Sequence, residues 1–375
     1  MKKWYTTASS IPSALMRELA LLSLRGTGAR EPLKASLSIM LAILLALTLG
    51  LDDIWWAAFS GYMVIHARFE ESLRRGVFRI GGTAIGAVLA IYVAATFAGS
   101  AVIIILWIFL ISLLTIYQAL VSRFGYAWLF GGCTHVVVLA FAITTCADIS
   151  HLVIMRIANV AVGAVACIAV SVLFELVWPS QPNVFFGAVR GLADVPIPGI
   201  TVVTQREARL LLLRHAFEGA LAVALVTSLG YYFKIDSFAQ ASISIFAVMV
   251  MPFTDFSKDR RGAVIRKTIH RAVGCLCGGI VGILMLFVTG HFLPLWWLAL
   301  PTGVWIGRHV QIGKEGLGYF GAQFCLGYLT AFVHDPNLLE NYHAPVERLL
   351  GVVTGLFLLG VILFVSRGYR ESSAG

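Results

Sequence analysis

Charge is what this sequence has least of. Only 13% of its 375 residues are Asp, Glu, Lys or Arg, about half the share of an ordinary globular chain. Hydrophobic residues make up 59%, and the mean hydropathy is +0.87. So few charges cannot cover a water-facing surface, which excludes a soluble enzyme, a disordered chain and a nucleic-acid-binding domain as the main identity. Acidic residues are the scarcer sign, 19 against 28 Lys and Arg, for a net charge of +9. The basic excess sits in short clusters between apolar runs, the placement of membrane topology rather than of a polyanion-binding surface. Cysteine is also sparse. Cys133, Cys146, Cys167, Cys275, Cys277 and Cys325 all fall in or at the ends of apolar segments, and Cys275 and Cys277 do not share a helix face. Buried free thiols are therefore expected, with no metal site and no cofactor.

A hydrocarbon layer about 30 Å thick needs roughly 20 apolar residues per helix, because every backbone group must be satisfied within the segment. The first half offers Leu33 to Gly50, Ile54 to Ile65, Val77 to Phe97, Ala101 to Val121, Tyr126 to Cys146 and Ile157 to Trp178. The second offers Ala216 to Phe233, Ser237 to Met251, Ile269 to Thr289, Phe292 to Gly307, Leu317 to Val333 and Leu349 to Ser366. The expectation is an all-α integral membrane protein of about twelve transmembrane helices in two parallel six-helix repeats. Placing the start of the chain inside the cell leaves only Arg156, Lys234 and Arg348, of the 28 Lys and Arg residues, on the outer side. Both termini are then cytoplasmic. The first apolar run begins near residue 33 without a small-residue cleavage site, so it is expected to remain as a helix.

The predicted organisation is a cytoplasmic N-terminal segment over 1–32, with an interfacial amphipathic helix near Ile11 to Leu24, and a first repeat over 33–178. A linker over 179–214 is punctuated by Pro179, Pro182, Pro196 and Pro198. The second repeat spans 215–366, and a cytoplasmic tail 367–375.

Arg79, Gly82 and Gly86 form R-x-x-G-x-x-x-G, and 192 residues later Arg271, Gly274 and Gly278 repeat it. The same shift carries Arg74 to Arg266, His151 to His343, Arg156 to Arg348 and Gly163 to Gly355, whereas Asp53 matches Asp236 and Trp55 matches Phe238 at 183. Six crossings per copy put both copies in one orientation, related by an axis along the membrane normal.

A basic cluster leading into R-x-x-G-x-x-x-G, followed by a helix that carries Arg156 and Gly163 and ends in Trp178-Pro179, resembles the fusaric acid resistance or aromatic acid exporter family of bacterial inner-membrane proteins. The resemblance covers nearly the whole membrane region in both copies. It implies efflux of aromatic carboxylic acids driven by the proton gradient, in some members beside a periplasmic adaptor protein. Many members carry a sizeable cytoplasmic domain for which this chain has no room, which leaves adaptor, oligomer and substrate open.

Several residues are candidates for the chemistry. Arg79 and Arg271 stand at the mouths of glycine-rich helices, where they attract organic anions or simply anchor the helix ends on lipid phosphates; Gly82, Gly86, Gly274 and Gly278 let backbones approach closely. Arg156 and Arg348 lie on the side disfavoured for positive charge, so each snorkels outward or has a partner, and a guanidinium matches a carboxylate in bidentate geometry. His151 and His343 titrate in the right range for proton coupling, or belong to an external ion-pair cluster. His135, deep in an apolar segment, is a proton relay or a hydrogen-bonded core histidine. The short segments after Asp53 and Asp236 point to a midplane site, with Trp55 and Phe238 as stacking rings or as interfacial belt. The expected function is export of small organic anions by a non-enzymatic transporter in the bacterial inner membrane, its partners being lipid and substrate and no nucleic acid. A passive organic-anion channel and a membrane-embedded transferase built around His135 are the alternatives.

Overall fold

A computed structural model describes residues 2–22, 27–97, 99–144, 149–178, 206–234, 238–251, 253–290, 292–333 and 343–373. They form α1 (Lys2–Ala20), α2 (Thr27–Thr48), α3 (Trp55–Val64), α4 (Phe69–Thr96), α5 (Ala101–Val121), α6 (Gly125–Thr144) and α7 (Ile149–Val177). There follow α8 (Arg206–Phe233), α9 (Phe238–Met249), α10 (Phe253–Thr289), α11 (Leu293–Ile312), α12 (Gly318–Phe332) and α13 (His343–Ser373). No strand occurs among the described residues.

Among these, the eight helices α2, α4, α5, α6, α7, α8, α10 and α13 are long and apolar enough to cross a membrane. The other four expected spans, α3, α9, α11 and α12, are shorter or more polar helices. With ten residues α3 is about 15 Å long, half the hydrocarbon thickness, and α9 has twelve residues. Helix α12 has fifteen residues, and α11 ends in the polar run Arg308, His309 and Gln311.

Local signals explain several boundaries. Glu70 and Glu71 lie in the first turn of α4, where carboxylates complement the helix dipole. Glu71 also pairs with Arg74 at 2.7 Å and with Arg75 at 3.0 Å, one turn on. Helix α2 stops at Gly50, whose φ of +62° suits a residue without a Cβ.

The chain divides into two compact units. The first comprises residues 1–80, 155–196 and 265–349. In it α2 packs on α3 and α11, and α12 packs on α11 and α3. Its core contains Ile39, Ile43, Ile65, Val304, Tyr328 and Phe332. Helix α1 lays Ile11 and Ala14 against Ile269, Val310, Leu317 and Phe320. The Glu18 carboxylate accepts the backbone N–H of Glu315, and Arg17 pairs with the Glu315 side chain at 2.6 Å. The buried face of the N-terminal amphipathic helix thus contacts protein.

The second unit comprises residues 81–154, 197–264 and 350–375. There α8 packs on α9 and α5, and α6 packs on α5 and α9. Glu218, buried on α8, pairs with Arg214 at 3.3 Å and with Arg260 at 3.0 Å.

Candidate functional site

Four of the expected site residues, Arg79, Arg156, Trp55 and Asp53, meet around the short helix α3 of the first unit. At its start, Arg156 on α7 lies with its guanidinium carbon 3.3 Å from the centre of the Trp56 ring. The Trp56 ring lies tilted by 33° against Trp55 with centroids 3.7 Å apart, and Phe59 meets both rings edge-on. Trp55 donates through its indole N–H to the Asp53 carboxylate at 3.1 Å, and Asp53 adopts a φ of 54°, a left-handed conformation that Asp tolerates better than most residues. Asn159, one turn after Arg156, donates to the backbone oxygen of Asp52 at 2.7 Å and ties α7 to this corner. Arg156 is 8% exposed, so the guanidinium is held inside by a ring rather than extended to solvent.

One turn along, Ser60 accepts a hydrogen bond from Arg79 Nε at 2.6 Å and donates to the Val160 carbonyl at 3.1 Å. The approach of α7 to α3 is close because Gly163 faces the backbone of Ala57, where a Cβ would collide with the Ala57 carbonyl. Arg79 is buried.

At the end of α3 stands a polar group absent from the sequence expectations. Arg308 donates to Glu31 at 3.0 Å and to the Gln311 side-chain oxygen at 2.9 Å, and Tyr62 donates to that same oxygen. Lys34, buried on α2, donates to the His66 carbonyl at 2.7 Å. The His66 backbone N–H is bound by Ser72 Oγ, and its Nδ1 accepts the N–H of Arg68 at 3.4 Å. Burial and the nearby Arg75 charge push the His66 imidazole down to about 4, so it is neutral at physiological pH.

Arg271 is also in the first unit, on α10, where it donates to Gln323 on α12 at 2.6 Å. Gly274 and Gly278 face the Phe320 and Phe324 carbonyls, contacts that a Cβ would close off. The remaining described residues lie in the second unit. There Gly82 and Gly86 meet the backbone of Ala127 and Gly131 in the same way. His135 bridges two helices, its Nε2 accepting the Trp107 indole N–H at 3.1 Å and its Nδ1 3.0 Å from the Gly86 carbonyl. That is how a neutral imidazole uses both nitrogens. Phe238 packs on Phe141 at 6.2 Å. His151 is exposed at the start of α7. Asp236 lies outside the described residues, as do the side chains of His343 and Arg348 on α13.

The arrangement therefore places Arg156, Arg79, and then Arg308 with Lys34 at three successive levels of one short helix, with indole rings beside the first. Guanidinium and ammonium groups beside indole rings are the side-chain types that match a carboxylate and an aromatic ring. Lys34, Glu31, Ser60, Tyr62, Arg308 and Gln311 escape sequence reasoning. The signal was the position of Lys34 just inside one apolar run and of Arg308 just after another, which positive-inside counting absorbs as topology. Among the described residues no group of His, Cys, Asp and Glu could hold a metal ion, and the five described cysteines are free.

Residues 32–183 match the family model described as the fusaric acid resistance protein family. The resemblance drawn from the basic cluster, the glycine motif and Trp178-Pro179 is thereby borne out over the first half of the chain. Together with the apolar helices, the match marks a transmembrane protein of the transport class. No curated protein and no solved structure matches the chain.

Proposed function

We propose that this chain is a twelve-span exporter of small organic anions, with aromatic carboxylic acids as the substrate class and the proton gradient as the drive, seated in the bacterial inner membrane with both termini in the cytoplasm. The observation that carries the reading is the sequence of buried cations along α3, beginning beside the Trp55, Trp56 and Phe59 rings. Arginine supplies the carboxylate contact and the rings supply the apolar one. Arg271 and Arg348 extend the cationic route, while Asp53, Asp236, His151 and His343 are the candidates for proton handling at the outer ends of the spans. His135 serves by its two hydrogen bonds as a neutral tie.

The two-repeat organisation is supported by how the units are composed. The first takes α2, α3 and most of α7 from the first half, with α11, α12 and the apolar part of α10 from the second; the second unit takes the complementary set. Each helix from α2 to α7 has its counterpart six helices later. The packing of α2 on α11 corresponds to that of α8 on α5, and α3 on α12 to α9 on α6. Individual contacts follow. Gly163 meets Ala57 as Gly355 meets Ala241, Gly86 meets Gly131 as Gly278 meets Phe324, and Gly132 meets Thr115 as Cys325 meets Gly307. In this register Tyr328 takes the place of His135, donating at 2.8 Å to the carbonyl of Ala299, the counterpart of Trp107.

The test is a comparison of a deletion strain with its parent for growth in a panel of weak aromatic acids. Selective hypersensitivity to these acids, reversed by the restored gene, is expected. Equal growth across the panel contradicts the substrate class.

A further inference from the structure

Resting on the reading of organic-anion export, we propose that Arg308 and Lys34, with Tyr62 and Gln311, form the station at which the substrate carboxylate is bound in the first unit, and that Glu31 is an internal competitor occupying it in the absence of substrate.

Three observations lead there. First, the charge does not balance inside the cluster. Lys34 and Arg308 are 3% and 6% exposed, and both lie in the field of a single carboxylate, Glu31. His66 adds no negative charge, and Tyr62 and Gln311 are neutral dipoles. Two buried cations facing one carboxylate leave room for a second anion.

Second, the guanidinium edge is half used. A carboxylate taken side-on by arginine binds Nε and Nη2 together. Glu31 reaches Nη2 at 3.0 Å, whereas Nε is buried without a hydrogen-bond partner among the described residues. An incoming carboxylate that engages both nitrogens outcompetes one that engages a single nitrogen. The neighbouring core residues Ile39, Ile65 and Val304 offer the apolar wall on which a ring can rest.

Third, the packing does not require this group. In the register set by the matching glycine contacts, Arg308 and Gln311 on α11 correspond to Ile116 and Ala119 on α5. By the shift of 184 that carries Ala57 to Ala241, one more than the 183 matched at Asp53 and Trp55, Tyr62 and His66 correspond to Phe246 and Val250. At these four positions the second unit is apolar, whereas the shift that carries Ala57 to Ala241 takes Glu31 and Lys34 to His215 and Glu218, a different buried polar pair in which the buried acid stands where the first unit has Lys34. The two halves are thus unequal, and the carboxylate station belongs to one of them.

The test measures benzoate binding to the purified full-length protein by calorimetry, beside benzoate efflux from proteoliposomes and thermal melting. Arg308→Gln and Lys34→Gln are expected to weaken binding about 10-fold or more, the loss of a charge-assisted contact. Glu31→Gln is expected to tighten it several-fold, because the competitor is gone. A purely structural ion pair predicts the opposite sign for Glu31, so weakening in Glu31→Gln comparable to that in Arg308→Gln overturns the proposal. Should Arg308→Gln fail to fold, Arg308→Lys, which keeps the charge and loses the fork, is expected to weaken binding as well. Wild-type efflux together with unchanged affinity in a folded Arg308 variant overturns this station alone. A wild-type protein that neither binds nor moves benzoate overturns it together with the functional reading.

Discussion

Arg156 lies on Trp56, with its guanidinium carbon 3.3 Å from the ring centre, inside the protein. A desolvated contact of this type contributes about 2 kcal/mol. Arg156→Gln is expected to abolish export while the protein still inserts, and Trp56→Leu to lower the melting temperature and reduce export. Trp56→Phe, which keeps an aromatic face, should recover part of both. The measurements are proteoliposome efflux and thermal melting in detergent. Unchanged export in Arg156→Gln removes this residue from the mechanism.

Two adjacent glycines on α4 give an internally controlled test of packing. A Cβ at Gly82 would meet the Ala127 backbone, whereas one at Gly81 would meet nothing within 4 Å. Gly82→Ala should cost about 1–3 kcal/mol through overpacking. Gly81→Ala should be neutral or gain up to about 1 kcal/mol from helix propensity. Melting temperatures of the two variants, measured side by side, distinguish them.

What the sequence made legible follows from local physics. The short segments near Ile54 to Ile65 and Ser237 to Met251 emerge as α3 and α9, and the left-handed turn at Asp53 precedes the first of them directly. The glycine motifs were legible as close-approach helices for the same reason: spacing along one helix face is local information. Arg156 was recognised as needing a partner, but Trp56 as that partner was not, since the contact joins helices 100 residues apart in the chain. The pairing of Arg308 with Glu31 was hidden more deeply. Each residue stands at the edge of an apolar run, where a charge reads as topology, and only the packing of α2 on α11 turns the two edges into one buried group.

His66 predicts a signed pH response. Its imidazole titrates at about 4 in the folded protein and near 6.5 when unfolded. Between these values the unfolded chain holds more protons, so stability falls as pH is lowered through that window and levels off below it. Protonation also removes the Nδ1 acceptor used by the Arg68 N–H. Melting temperature recorded from about pH 7.5 to 4.5 should fall less steeply in His66→Gln than in the wild type. Parallel curves contradict the assignment.

The proposed equivalence of the halves has a topological consequence. Single cysteines introduced at positions 151 and 343 of a cysteine-free protein should both react with an impermeant thiol reagent added from outside the cell. Labelling of the two from opposite faces contradicts two similarly oriented six-span repeats.

The role proposed for the cations along α3 is active export of aromatic carboxylates. Its most direct test is uptake of radiolabelled benzoate into inside-out membrane vesicles energised with a proton gradient. Accumulation above the external concentration, collapse on adding a protonophore, and loss of accumulation in Arg79→Gln and Arg156→Gln are expected. Flux that only equilibrates benzoate across the membrane, with or without the gradient, or accumulation that persists in both arginine variants, would contradict it.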